Sequence, residues 1–224
     1  MTSTFQRARR PEQLAARRCA ILAAARTALA DRRVDEVTLR DISEGVGLAK
    51  SNVLRYFDSR EAIFLELLDE ECRDWLAELS DALGRPRARK PGYTNEIRIA
   101  TTIAETLAAR QLMCELLGAM AGVLERNISV EFARDFKLRA MANITALSEL
   151  VGAQLPWLPA EFTGFIGEAI LMLAAGMYPF SVPTEAVRQA MEELDFPDPG
   201  CRFREGLQTG LTTWLIGASA QHPA

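Results

Sequence analysis

Between residues 38 and 60 the chain gathers side chains whose chemistry suits a nucleic-acid duplex. The run TLRDISEGVGLAKSNVLRYF, residues 38–57, carries Arg40, Lys50, Ser51, Asn52, Arg55 and Tyr56, and Arg60 follows just beyond it. Lysine and arginine neutralise phosphates or donate to guanine, and asparagine pairs with adenine in bidentate fashion. Serine and tyrosine anchor to phosphates or base edges. Val53 and Phe57, four apart, fall on one side of a helix. That leaves Lys50, Ser51, Asn52, Arg55 and Tyr56 for its outer face and flanks.

These side chains need short, well-placed helices. Thr38 and Asp41 form a capping pair for the first, and Ile42 and Val46 supply its inner face. Gly47 breaks it, and a second helix is expected from about residue 49 to 57. Two short helices around a glycine make a helix-turn-helix, which places its second helix in the major groove. Asp58 or Ser59 caps a longer helix reaching about residue 83, with an apolar stripe at Phe64, Leu68, Cys72, Trp75 and Leu79. Upstream, residues 12–30 read as a helix with Ile21, Leu22, Ala25 and Leu29 on its buried face. Arg17 and Arg18 open that helix, and Arg7, Arg9 and Arg10 read as a flexible basic arm.

Charge divides the 224 residues in the same place. Residues 1–60 hold 12 Lys and Arg against 7 Asp and Glu, whereas residues 61–224 hold 14 against 23. A basic segment on an acidic body suggests that one end meets a polyanion. The remaining chain is helical throughout. Helices are expected over residues 94–109, a segment to about 125, 130–155 capped by Ser129, 159–177 stopped by Pro179 and Pro183, 184–194 and 203–219. Residues 84–92, GRPRARKPG, read as a solvated basic loop. Nothing reads as a strand.

Other chemistry is sparse. Cys19, Cys72, Cys114 and Cys201 form no C-x-x-C pair and read as small buried hydrophobes. The one histidine, His222, cannot supply Glu-x-x-His pairs, histidine-dependent triads or the usual zinc sites. No catalytic residue, metal or cofactor is expected. The N-terminus lacks a secretory apolar core, and the apolar run 169–177 is too short to cross a bilayer. The expectation is a soluble, cytoplasmic protein without a membrane partner.

At residues 21–68 the chain resembles the TetR family of bacterial transcriptional regulators. The resemblance rests on the alanine-rich first helix, TLRDISEGVGL, KSNVLRYF and DSREAIF. The family closes its reading helix on an aromatic-rich stretch and starts the next with lysine and Glu; here those places are Tyr56, Phe57, Arg60 and Glu61. The resemblance implies an all-α protein. A three-helix DNA-binding domain, residues 1–60, precedes a larger ligand-binding and dimerisation domain, residues 61–224. It further implies that Thr38 and Arg40 meet the DNA backbone or an adjacent base edge. Lys50, Ser51 and Asn52 would face bases, Arg55 and Tyr56 bases or phosphates, and Arg60 a phosphate. Three positions stand apart from the family, Ala49, Leu54 and Arg55, the last able to compensate for the second. Ala49 stands where a capping serine is frequent, and Leu54 where a DNA-touching tyrosine is frequent, so Leu54 either meets a thymine methyl or packs inward.

The implied function is a ligand-responsive regulator, usually a repressor, that binds a palindromic double-stranded operator as a homodimer. An activator of the same fold, or a helical protein-interaction module, is the alternative. For the dimer interface the apolar stripes point to Phe162, Ile166 and Ile170 in one helix and Leu207, Leu211, Trp214 and Leu215 in the last. Gly206, Gly210 and Gly217 would leave room for another backbone. For a mostly apolar small-molecule effector, Met113, Cys114, Leu117, Met120, Met141, Ile144, Phe165, Met172 and Tyr178 offer adaptable lining. Glu168 and Asn143 are polar groups among them. The same residues also read as plain core. The helix at residues 59–83 would couple the two domains.

Overall fold

The structure, a computed structural model, describes residues 3–197 and 199–222, and the side chains of these apart from 3–10 and 201. The chain runs through α1 (Ser3–Ala28), α2 (Leu39–Gly45), α3 (Lys50–Val53), α4 (Arg60–Leu83) and α5 (Thr94–Ala108). It continues through α6 (Gln111–Ala119), α7 (Val130–Gln154), α8 (Ala160–Ser181), α9 (Glu185–Glu193) and α10 (Pro199–Gln221). The fold is all-α, with no strand among the described residues.

The chain forms two compact units. The first comprises Met1–Glu70 and Ala119–Lys137, the second Glu71–Gly118 and Leu138–Ala224. In the first, α1 packs on α2, and Ile21, Leu22, Ala25, Leu29, Val34, Val37, Ile42, Val53 and Phe57 are buried. Ser59 caps α4: its Oγ accepts the Ala62 N–H at 3.1 Å. Asp58 has a different task, accepting the Ser129 hydroxyl at 2.6 Å, while Ser129 Oγ accepts the Phe132 N–H at 3.1 Å and caps α7. In the second unit α10 packs on α5 and α8. The apolar stripe of α4 is buried along its length, and the Trp75 indole N–H donates to Thr106 Oγ1 at 3.0 Å. Where α7 crosses α8, a side chain at Gly167 would put its Cβ 2.5 Å from the Ile144 carbonyl oxygen. Only glycine permits that approach.

Several expectations are corrected. The backbone of the expected flexible arm is helical, because α1 begins at Ser3 and runs through Pro11. The side chains of Arg7, Arg9 and Arg10 lie outside the described residues. Pro179 did not stop α8: it sits inside the last turn at the cost of one i→i−4 hydrogen bond, and the helix ends at Ser181, two residues before Pro183. Gly206 and Gly210 make room for the side chains of Met177 and Leu173 of the same chain, not for another backbone. Cys19 is exposed, whereas Cys72 and Cys114 are buried. Burial pushes the Cys114 thiol up to about 12. The Cys201 side chain lies outside the described residues. The basic loop is not wholly solvated, since Arg89 folds inward and donates to the Ser219 and His222 carbonyls. Residues 169–177 are short, but α8 as a whole has 22 residues and is long and apolar enough, by length and composition, to cross a membrane.

Candidate nucleic-acid interface

Reading chemistry begins with a capped helix. The Thr38 N–H donates to Asp41 Oδ2 at 2.7 Å and the Asp41 N–H to Thr38 Oγ1 at 3.3 Å, a reciprocal capping box that starts α2. The Thr38 hydroxyl and amide, then Arg32 at 3.2 Å, hold the Asp41 carboxyl well below the usual carboxylate range. Gly47, at φ 66, turns the chain. Ala49 then begins α3 with no side-chain cap.

The expected reading helix of residues 49–57 is one α-turn, Lys50–Val53, continued by tighter turns. Tyr56 and Phe57 both donate their N–H to the Val53 carbonyl, at 2.9 and 3.2 Å. Val53 and Phe57 are buried, which fixes the rotation of the segment. Lys50, Ser51, Asn52 and Arg55 are exposed, and none makes a side-chain hydrogen bond or ion pair among the described residues. Four unspent polar side chains thus stand on one short segment held from behind. Leu54 is 45% exposed and faces outward with them.

Thr38 and Arg40 are exposed at the start of α2, and Arg40 pairs with Glu44 at 2.6 Å. Tyr56 is half-buried, beside Gln13, Leu14 and Arg17 of α1. Arg60 is turned toward the protein. It donates to the Val37 carbonyl at 2.8 Å and, through Nε and Nη2, to Glu61 Oε1 at 3.0 and 2.7 Å. Two of its five N–H groups remain for another acceptor.

Sequence reasoning missed what holds the reading segment's far end. Arg18 donates to the Tyr56 carbonyl, lies 4.1 Å from the centroid of the Phe57 ring and pairs with Glu66 at 3.2 Å. The signal was available, because Arg18 lies on the stripe that continues through Leu22, Ala25 and Leu29.

In the second unit the expected interface residues divide. Ile166, Ile170, Leu207, Leu211 and Leu215 are buried within the protomer, so they belong to its own core, a correction to their assignment. Helical periodicity finds an apolar stripe but not which neighbour covers it. Trp214 is 43% exposed and Phe162 is half-buried; both line a groove of α8 and α10 with Phe165, Ile166 and Ala169. The expected effector residues scatter. Met113, Cys114 and Leu117 are buried, and Met120, Asn143, Ile144, Glu168 and Tyr178 are half-buried. Met141, Phe165 and Met172 are exposed on the protomer surface, so they line no interior cavity in a single chain. Tyr178 packs edge-on against Phe203 at 5.3 Å.

A capped helix, a glycine turn and a buried-backed segment of unpaired donors define a helix-turn-helix DNA-binding regulator. Residues 21–67 match the family described as bacterial regulatory proteins, tetR family, and residues 69–222 match the tetracyclin repressor-like C-terminal domain. The chain therefore belongs to the TetR family of transcriptional regulators. No curated protein matches it. Solved structures share the fold at low identity. A TetR-family regulator from Mesorhizobium loti is 12% identical, with 94% of this chain and 98% of that one covered and a TM-score of 0.54. The fatty acid degradation regulator FadR of Bacillus halodurans is 14% identical, covering 87% and 94%, at 0.51. Bacillus subtilis FadR in complex with stearoyl-CoA is 11% identical, covering 89% and 98%, at 0.51.

Proposed function

We propose that this regulator is a repressor, which binds a roughly palindromic operator as a homodimer and is released by a small, mostly apolar effector. The observation that carries the DNA reading is the set Lys50, Ser51, Asn52 and Arg55, exposed and unpaired on a segment whose other side is core. Lys50, Ser51 and Asn52 face bases, and Arg55 and Tyr56 face bases or phosphates. Thr38 and Arg40 meet the backbone beside them, with Glu44 displaced from Arg40 by a phosphate. Arg60 offers its two spare N–H groups to a phosphate. Residues 1–60 act as the reading domain and residues 61–224 as the regulatory domain, in the cytoplasm.

The dimer reading rests on α8. It has the hydropathy of a membrane span, yet only 28% of its apolar stretch is buried in the protomer. Phe165 and Met172 are more than half exposed, as Trp214 of α10 nearly is. A second copy laid against this face covers it, and two-fold symmetry sets two reading helices about one DNA turn, roughly 34 Å, apart. The effector reading rests on residue type: Met113, Leu117, Met120, Ile144 and Tyr178 are adaptable side chains that suit an apolar ligand, and Glu168 offers a polar group. Acyl chains are a sensible first probe, given the stearoyl-CoA in Bacillus subtilis FadR. Ligand binding shifts α4 and so the spacing of the reading helices.

Titration of a labelled operator duplex at rising salt tests this reading. Affinity falls steeply with salt while the preference for operator over random duplex persists. Equal affinity for both duplexes at every salt concentration contradicts sequence reading and favours an interaction module.

A further inference from the structure

The segment between α4 and α5 is chemically unlike the rest of residues 61–224. Residues 61–224 have 14 Lys and Arg against 23 Asp and Glu, yet Asp81 and Glu96 bracket four cations, Arg85, Arg87, Arg89 and Lys90, with no carboxylate between them. A merely solvated charge run needs no fixed backbone, and this one is fastened. Asn95 Nδ2 donates to the carbonyls of Arg87 and Ala88 at 3.4 and 3.1 Å. Gln154 Nε2 donates to the Gly84 carbonyl at 2.8 Å. Arg89 is the third fastening. Its terminal nitrogens donate to the His222 and Ser219 carbonyls, each at 3.2 Å, and its guanidinium lies 5.0 Å from the centroid of the Trp157 ring. Pro86 and Pro91 fix two further φ angles.

One cation thus serves as an anchor, and the anchored strap presents the others. Arg85, Arg87 and Lys90 are exposed and have no carboxylate partner among the described residues. Arg98 of α5 adds a half-buried guanidinium that donates only to neutral acceptors, the Leu83 carbonyl at 3.1 Å and Gln154 Oε1 at 2.7 Å. Its Nε is buried with no acceptor. Burial and then the nearby Arg87 both work against its charge. The fold therefore holds like charges together on a fixed backbone.

We propose that the strap at residues 85–90, with Arg98 beside it, is a second anion-binding surface of this protein and takes phosphate groups. Planar guanidinium donors suit phosphate through paired N–H bonds. Arg85 and Arg87 lie two residues apart on the fastened backbone, both exposed, so the pair can engage neighbouring phosphates. Those phosphates belong either to a phosphorylated small molecule or to a duplex backbone.

The full-length protein and its Arg85→Gln/Arg87→Gln/Lys90→Gln variant, whose substituted side chains are exposed, are titrated with inorganic tripolyphosphate and with a non-operator duplex. An unchanged ligand-free melting temperature establishes that the variant folds. The variant binds tripolyphosphate roughly tenfold or more weakly if a small phosphorylated molecule is the source. If a duplex is the source, the slope of log affinity against log salt falls by roughly 2 to 3 for the variant. Equal tripolyphosphate affinity and equal duplex slope for the two proteins overturn the proposal. Operator preference, measured alongside, reports on α3 separately and stays with the variant in either supporting case.

Discussion

Thr38 does two jobs at the residue scale, and its removal separates them. It caps α2, and it keeps the Asp41 carboxylate charged in the folded protein. Because the folded-state pKa of Asp41 lies below its unfolded value of about 3.9, the stability it lends is complete above that value and drains away as pH falls. Thr38→Ala therefore melts below the wild type at neutral pH, and the gap narrows as pH drops through 4 and below. Melting curves across that range check it; a gap independent of pH would assign the whole effect to the cap. Arg60 offers a second test. Its guanidinium ties the Val37 carbonyl to the start of α4, so Arg60→Ala weakens binding to operator and random duplex alike. A selective loss for operator would move Arg60 into the base-reading set.

Elements report what patterning encodes and what it leaves out. The capping box at Thr38, the turn at Gly47 and the buried pair Val53 and Phe57 were legible, because each follows from short-range sequence and a local rule. The rotation of Lys50, Ser51, Asn52 and Arg55 toward solvent came with them. The place of Arg18 on the buried stripe of α1 was legible, but its partner was not, since the bond to the Tyr56 carbonyl joins residues 38 apart in sequence. The apolar stripe of α10 was seen but its neighbour was not: Leu207, Leu211 and Leu215 look the same in sequence whether their own chain or a twin covers them. Proline at 179 misled because the loss of one backbone hydrogen bond near a helix end does not by itself stop a helix that is held by packing. Helix crossings are equally hidden, and Gly167 shows why. Gly167→Ala drives a methyl to 2.5 Å from the Ile144 carbonyl and the Ser148 hydroxyl, costing about 1–3 kcal/mol by overpacking. Thermal or denaturant unfolding reads that loss, and an unaltered midpoint would mean that α7 and α8 separate freely.

For the whole molecule, the proposed function rests on two surfaces: the exposed apolar face of α8 and α10, and the polar face of α3. A charge placed on the first should undo pairing without touching the buried core. The proposal predicts that the wild type sediments as a dimer and Trp214→Asp as a monomer at the same concentration, with most operator affinity lost and helicity kept. A dimeric Trp214→Asp protein would move the interface away from this face. The second surface carries the central claim, that α3 reads base sequence. Selection of bound sequences from a random duplex pool, run with the wild type and with Asn52→Ala, tests it directly. The account predicts a roughly palindromic wild-type site, and for Asn52→Ala the same site with preference relaxed at one base position per half, by about 1–3 kcal/mol. An Asn52→Ala protein that selects the wild-type site with undiminished preference at every position would contradict it.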